Sequence, residues 1–211
     1  MRTVTLKDGV ILHLHDEPEA LSNRIYREQD YFERPLLDYI QTYFPVHEVI
    51  LDVGANIGNH TVYFAKYLKY IQIIAFEPIE ENFKLLDLNT LDIPRLRLRN
   101  EAVGDGTLDV MMKKEPENMG ACEVTPTGDI KAHQIRLDDL FVIPRVSLIK
   151  IDVEWYEPFV LMGAKDLIAS DRPLILIEDA KQEYGDLLPS YYALLQSWPD
   201  ERTYLYGDIH A

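Results

Sequence analysis

The residue types able to do chemistry in this chain fall where an apolar run stops at an acid or a small residue. Asp52-Val53-Gly54, Glu77-Pro78, residues 100–105, Asp152-Val153-Glu154 and Glu178-Asp179 all have this form. A single acid in such a place commonly caps a helix and complements its dipole. Five on successive segments can instead accept hydroxyl hydrogen bonds, receive an ammonium group or take a proton. The richest segment is Asp52-x-Gly54-x-Asn56-x-Gly58. A nicotinamide or flavin dinucleotide loop would need glycine at 54, 56 and 59, and this chain has Asn at 56 and 59. The glycines present allow a tight turn and close approach of a ligand, and a helix after Gly58 offers free N–H groups to a carboxylate as readily as to a phosphate. Glu77 follows at the end of the next apolar run, where an acid accepts from two ribose hydroxyls. A loop suited to carboxylate and ribose, ringed by acids and without a phosphate-binding lysine, points to S-adenosyl-L-methionine.

These residues need a scaffold that brings strand ends together. Alternating segments around Lys7-Asp8-Gly9 predict a hairpin, and residues 30–44 a helix with Pro35 early in it, where its missing N–H does little harm. Strands over 49–53, 71–76 and 96–103 then alternate with helices over 59–69 and 80–89. The rhythm lapses over 107–137 and resumes with a strand at 146–153, a helix at 157–170 and a strand at 173–178. A helix over 188–197 and a strand at 203–206 close the chain. The expected architecture is α/β: a Rossmann-like, mostly parallel sheet flanked by helices, with a hairpin-helix lead-in. Residues 1–45 form that lead-in, packed on the core, and 46–211 the cofactor-binding domain.

Composition narrows the partners. The 211 residues carry 21 Lys and Arg against 36 Asp and Glu, a net charge of −15. That balance is read as excluding nucleic acid. Arg95, Arg97 and Arg99 alternate with Leu96 and Leu98, as on a half-buried strand with one charged face. One cysteine excludes an internal disulfide framework, and no segment resembles a signal peptide or membrane span. The expectation is a cytoplasmic protein without a membrane partner, with self-association left open.

The run from Val49 to Thr61, Val-Ile-Leu-Asp-Val-Gly-Ala-Asn-Ile-Gly-Asn-His-Thr, resembles the first motif of the FkbM-type class I methyltransferases. The likeness continues through Ala75-Phe-Glu-Pro, Asn100-Glu-Ala-Val-Gly-Asp, Leu137-Asp-Asp-Leu, Ile149-Lys-Ile-Asp-Val-Glu, Val160-Leu-Met-Gly-Ala and Pro173-Leu-Ile-Leu-Ile-Glu. It implies a methyl donor, S-adenosyl-L-methionine, and an acceptor hydroxyl on a small metabolite or glycan. N-methylation, or a non-catalytic cofactor-binding module, is the alternative. On this resemblance Asp52, Gly54, Ala55, Asn56 and Gly58 serve the methionine end and ribose. Glu77, with Pro78 beside it, serves the ribose. Glu101 and Ala102 serve the adenine, with Asp105 competing for Glu101's place.

Asp152 faces the sulfonium region and is a candidate proton acceptor, as are Glu154 and the imidazoles of His133 and His60. Of these, Asp152 and His133 are taken as the catalytic residues. Glu178 and Asp152 without a third ligand do not make a metal site, so no metal is assigned. Two departures stand out. Trp155 replaces the family glycine between Glu154 and Glu157, and little chain remains after Tyr206 for the final antiparallel hairpin, which is expected to be abbreviated or completed by a partner chain. The stretch 107–136 is expected to cover the acceptor pocket, with His133 and Trp155 near its mouth.

Overall fold

The computed structural model describes residues 1–16, 19–115, 118–140, 144–179 and 183–210, the side chains of 114–123 excepted. The Asp-Gly turn joins β1 (Arg2–Thr5) and β2 (Ile11–Leu14), with Gly9 at φ +85°. Next comes α1 (Ala20–Glu28), a helix the apolar spacing does not announce. Its signal is Glu19, whose carboxylate accepts the N–H groups of Leu21 and Ser22 at 3.0 and 2.6 Å. The helix α2 (Arg34–Tyr43) begins with Pro35 in its first turn and buries Leu36, Leu37 and Ile40.

The alternating region forms β3 (Val49–Val53), α3 (Asn59–Tyr67), β4 (Gln72–Phe76), α4 (Glu80–Thr90) and β5 (Leu96–Arg99). The predicted third strand over 96–103 is divided at Asn100 and Glu101. Its second part, β6 (Ala102–Val103), joins a separate four-stranded sheet with β7 (Leu108–Glu115), β8 (Asn118–Val124) and β9 (Ile130–Ile135), in the order β6-β9-β7-β8. Residues 116 and 117, within the stretch expected to cover the acceptor, lie outside the described residues.

The main sheet resumes with β10 (Val146–Ile151), α5 (Glu157–Met162), α6 (Lys165–Asp171), β11 (Leu174–Glu178), β12 (Tyr192–Trp198) and β13 (Thr203–Asp208). Its order is β12-β13-β11-β10-β3-β4-β5. The five strands from β11 to β5 run parallel, and β13 runs antiparallel to both neighbours. The helix expected over 157–170 is two helices. Gly163 separates them, and a Cβ there would lie 1.9 Å from the Gly104 carbonyl oxygen. The helix expected over 188–197 is the strand β12. Short apolar segments satisfy either period, and here the open edge of β13 decides the outcome. The final antiparallel hairpin is therefore supplied by this chain itself.

Alternation along the strands sorts the core into two layers. Val49, Leu51, Val53, Ile149, Ile151, Ile175 and Ile177 pack on one face with Val160, Leu161, Ala164 and Ile168 of α5 and α6. Ile50, Leu148, Leu176 and Leu205 pack on the other with the hairpin and α1 to α3. Asp52, Lys150, Asp152 and Glu178 continue this second set at spacings of two, so their side chains share the face covered by the lead-in. The order in which strands are added reverses between β3 and β10, leaving a crevice beyond their carboxyl ends.

The crevice depends on one close approach. Gly54 has φ +76°, and a Cβ on it would fall 1.8 Å from the Asp152 carbonyl oxygen, so no side chain fits without parting β3 from β10. Replacing Gly54 by Ala is expected to cost about 3 kcal/mol or more. Thermal denaturation should show a midpoint lowered by roughly 6 °C or more at this chain length; an unchanged midpoint would refute the packing argument.

Candidate functional site

The turn after β3 is built from backbone bonds. The N–H groups of Gly54 and Ala55 donate to the Phe76 carbonyl at 3.1 and 2.9 Å, and Gly58 donates to Ala55 at 2.8 Å. Asn56 at φ +50° and Gly58 at φ +91° complete the turn into α3. Beneath it, Asp52 is fully buried and accepts the Thr61 hydroxyl at 2.5 Å.

Lys150, opposite Asp52 in the parallel register, is 4% exposed. Its ammonium donates to the Gly54 carbonyl at 2.7 Å and lies 3.4 Å from both Asp52 and Asp152. Burial opposes this charge, but the Asp152 and Asp52 carboxylates outweigh it and hold the lysine above its usual range. Lys150 was no candidate in the sequence, although a lysine inside the apolar run Val-Ser-Leu-Ile-Lys-Ile is the signal that could have found it.

Glu77 ends β4 and is buried. Its carboxylate accepts N–H groups from Asn56 and Ile79, both at 2.9 Å, so it clamps the turn to the next strand. Burial pushes its pKa up to about 7 against those donors. At the end of β10, Asp152 keeps 37% of its side chain open. Burial raises its pKa, but Lys150 and a hydrogen bond with Glu178 hold it below the usual range. Glu178 is one step beyond the registered pair Ile151 and Ile177, hence directly across from Asp152. Burial, the Asp152 charge and the hydrogen bond between them raise Glu178 to about 9.

Three hollows follow this edge. The first, about 30 Å³, has apolar walls that include Val53, Phe76, Pro78, Ala102, Met112 and Tyr156, with Glu101 at its border. The next, about 70 Å³, is lined by Gly54, Asn56, Glu77, Pro78, Asp152 and Glu154 among others. The largest, about 370 Å³, is walled by Leu21 and Arg24 of α1, Phe32, Glu33, His60, Lys150, Asp152, Glu178 and residues 200–203. Asn56, Asp152 and Glu154 line both the second and the third. The chain thus brings Gly54, Asn56, Glu77, Pro78, Glu101, Ala102 and Asp152 to one crevice. Asp52, Ala55 and Gly58 build the turn beneath it. Glu101 is also ion-paired with Arg99.

Other candidates are placed elsewhere. His133 is half exposed on β9, 3.1 Å from Asp109, and lines none of these hollows. His60 is buried and does line the largest, with Nε2 3.2 Å from Glu33. The small sheet lends Met112 to the first two hollows, so the stretch after β6 walls the Glu77 side, while the lead-in and residues 200–203 wall the large cavity. Trp155 has φ +74° and borders a small hollow beside Glu154, Glu178 and Arg202. Among the described residues no group of three or more His, Cys, Asp or Glu is placed to hold a metal ion, and no helix is long and apolar enough to cross a membrane.

The donor set fits S-adenosyl-L-methionine. A side-chain-free cradle lies at Gly54, a buried carboxylate at Glu77, an apolar hollow beside Ala102, and acids with a fixed lysine at the cavity end. Burial also raises Glu157 to about 7. Glu77, Glu157 and Glu178 therefore bind protons more tightly folded than unfolded. Their stabilisation is complete below about pH 4.5 and is lost as pH rises through about 7 and 9. His47, depressed by burial to about 4, acts oppositely, but only below its ordinary value of 6.5. Melting temperature is expected to fall by several degrees from pH 6.5 to 9, mostly through Glu178, and Glu178→Gln to flatten that slope more than Glu77→Gln; a midpoint constant across the range would contradict the assignment.

The family model described as "Methyltransferase FkbM domain" matches residues 52–206. No curated protein sequence matches the chain. Among solved structures, the methyltransferase FkbM from Methylobacillus flagellatus KT has 19% identity and a TM-score of 0.56, covering 92% of this chain and 56% of its own. This chain thus spans little more than half the length of that protein. A candidate methyltransferase of Escherichia coli, yhhF, has 12% identity and a TM-score of 0.57, with 98% of each chain covered. A candidate rRNA methylase from Clostridium thermocellum has 11% identity and a TM-score of 0.51, covering 83% of this chain and 96% of its own. These likenesses show a class I methyltransferase fold. The last corrects the expectation of a small-molecule or glycan acceptor with nucleic acid excluded, because a candidate rRNA methylase has the same fold. Net charge is a sum over the whole surface and does not exclude a local contact; Arg95 and Arg97 stand exposed at the β5 edge. The matched residues cover most of the chain, and it belongs to the FkbM methyltransferase family.

Proposed function

We propose that this chain transfers a methyl group from S-adenosyl-L-methionine to a hydroxyl oxygen of an acceptor seated in the 370 Å³ cavity. The observation that carries this reading is the shared wall: Asn56, Asp152 and Glu154 border both the hollow beside Glu77 and the large cavity. A ligand held by the turn would therefore present one end to whatever occupies the cavity. Family membership supports the reaction class.

When bound, the donor supplies an electrophilic methyl group on a cationic sulfur. Glu77 would accept the ribose hydroxyls, Ala102 and Glu101 would meet the adenine, and Asn56 and the start of α3 would face the methionine end. Asp152 lies where the two hollows meet and would draw the proton from the acceptor hydroxyl, a step that general bases accelerate about 10²–10⁴-fold. Leu21, Arg24 and Phe32 of the lead-in would orient the acceptor and keep water from it.

Calorimetry tests the donor: S-adenosyl-L-methionine should bind and NADH should not, and the reverse outcome would overturn the reading. Glu77→Ala should weaken donor binding by about 1.5–3 kcal/mol while the fold persists, as expected for lost hydrogen bonds to a charged group. Unchanged affinity in a folded variant would remove Glu77 from the donor site. The acceptor is sought by incubating the chain with donor labelled in its methyl group and extract separated into RNA, protein and low-mass fractions. Label appearing on nitrogen would refute the hydroxyl assignment.

A further inference from the structure

Asp152 and Glu178 stand directly across from each other at the ends of adjacent parallel strands, on the same face of the sheet, and both line the large cavity. Two carboxylates so placed repel when both are ionised, which favours a single proton held by the pair. The surroundings do not supply enough positive charge to ionise both. Asp152 faces Lys150, already divided between Asp52 and the Gly54 carbonyl, and His60 from α3, whose Nε2 lies against Glu33. Glu178 faces Arg202 at 3.0 Å, but also the charge of Glu154 and, from the turn below, Tyr184.

We infer that Asp152 and Glu178 hold one proton between them, that a cationic donor expels it on binding, and that the acceptor hydroxyl returns it during methyl transfer. This rests on the donor reading above and adds Glu178 to the catalytic groups. A sulfonium brought beside the pair supplies the missing positive charge, so both carboxylates ionise and one proton leaves to solvent. In the transfer, the acceptor oxygen bonds to the methyl carbon as the carbon–sulfur bond breaks, and its electron pair stays on sulfur. The hydroxyl proton passes to the Asp152–Glu178 pair. With sulfur now neutral the pair retains that proton, and the net products are methyl ether, thioether and the proton released when the donor bound. The base is thus made available only while the donor is present, and the spent thioether lacks the charge that expels the proton.

The test is calorimetry on the full chain at pH 7.0 in phosphate and in Tris, buffers of different ionisation enthalpy, with S-adenosylmethionine and with S-adenosylhomocysteine. Groups such as Glu77 meet the ribose of both ligands, so their proton changes cancel in the comparison. The methionine form should release roughly one proton more than the homocysteine form, as expected for a coupled pair driven from one bound proton to none. Glu178→Gln should bind both ligands and abolish that difference. Equal proton release by both ligands in the native chain would overturn the inference, even where the variant fails to fold. So would a difference that persists in folded Glu178→Gln. Failure of either ligand to bind would instead overturn the donor reading and the inference with it.

Discussion

An ammonium group buried beneath a parallel sheet costs several kcal/mol unless charges and acceptors surround it, and Lys150 meets that demand with Asp52, Asp152 and the Gly54 carbonyl. Each partner comes from a different part of the crevice: the end of β3, the end of β10 and the turn between β3 and α3. Losing any one would leave charge or an unmet donor in the core. The spacing of β3 and β10, the positive φ of Gly54 and the position of Asp152 are therefore one linked condition. Glu77 extends it to β4 by holding the Asn56 N–H, and Glu178 extends it to β11 through Asp152.

On either side of this charged seam the chain uses different material. The small sheet after β6 closes the Glu77 side with Met112 and Val124 around an apolar hollow. The large cavity is closed by segments far apart in sequence: α1 and Phe32 from the lead-in, and the turn before β13. Arg24 ties them together, with its guanidinium over the Phe32 ring at 4.7 Å and 3.5 Å from Glu201. The Glu77 side is thus assembled around the sheet ends and the large cavity from additions to them, as where loops on a rigid scaffold vary while the scaffold stays.

Trp155 shows what that scaffold tolerates. At φ +74° it occupies backbone space favoured by glycine. Glu154 before it also has positive φ. A non-glycine residue there costs about 1–2 kcal/mol, and the indole remains 48% exposed, so burial offsets only part of the strain. Glu157 pins this loop by accepting the Val153 N–H at 3.1 Å.

Much of this was legible in the chain alone. Short apolar runs mark β3, β4, β10 and β11, and the stretches between them read as the helices α3 and α4. The glycine and asparagine spacing after Asp52 marks the turn, because local backbone geometry selects those residues whatever surrounds them. The position of Glu77 could be read for the same reason, being the acid at the end of the next strand. What lay beyond the sequence depends on partners brought from a distance. Residues 192–198 became strand because β13 offered an open edge. Lys150 became the centre of the site because register set it opposite Asp52. Asp152 and Glu178 came to face one another because β10 and β11 ended level. His133 and His60 are equivalent imidazoles in sequence, yet one lies half exposed beside Asp109 and the other is buried in the cavity wall. Local preference is written residue by residue, whereas burial, register and proximity of charges arise only when the strands have paired.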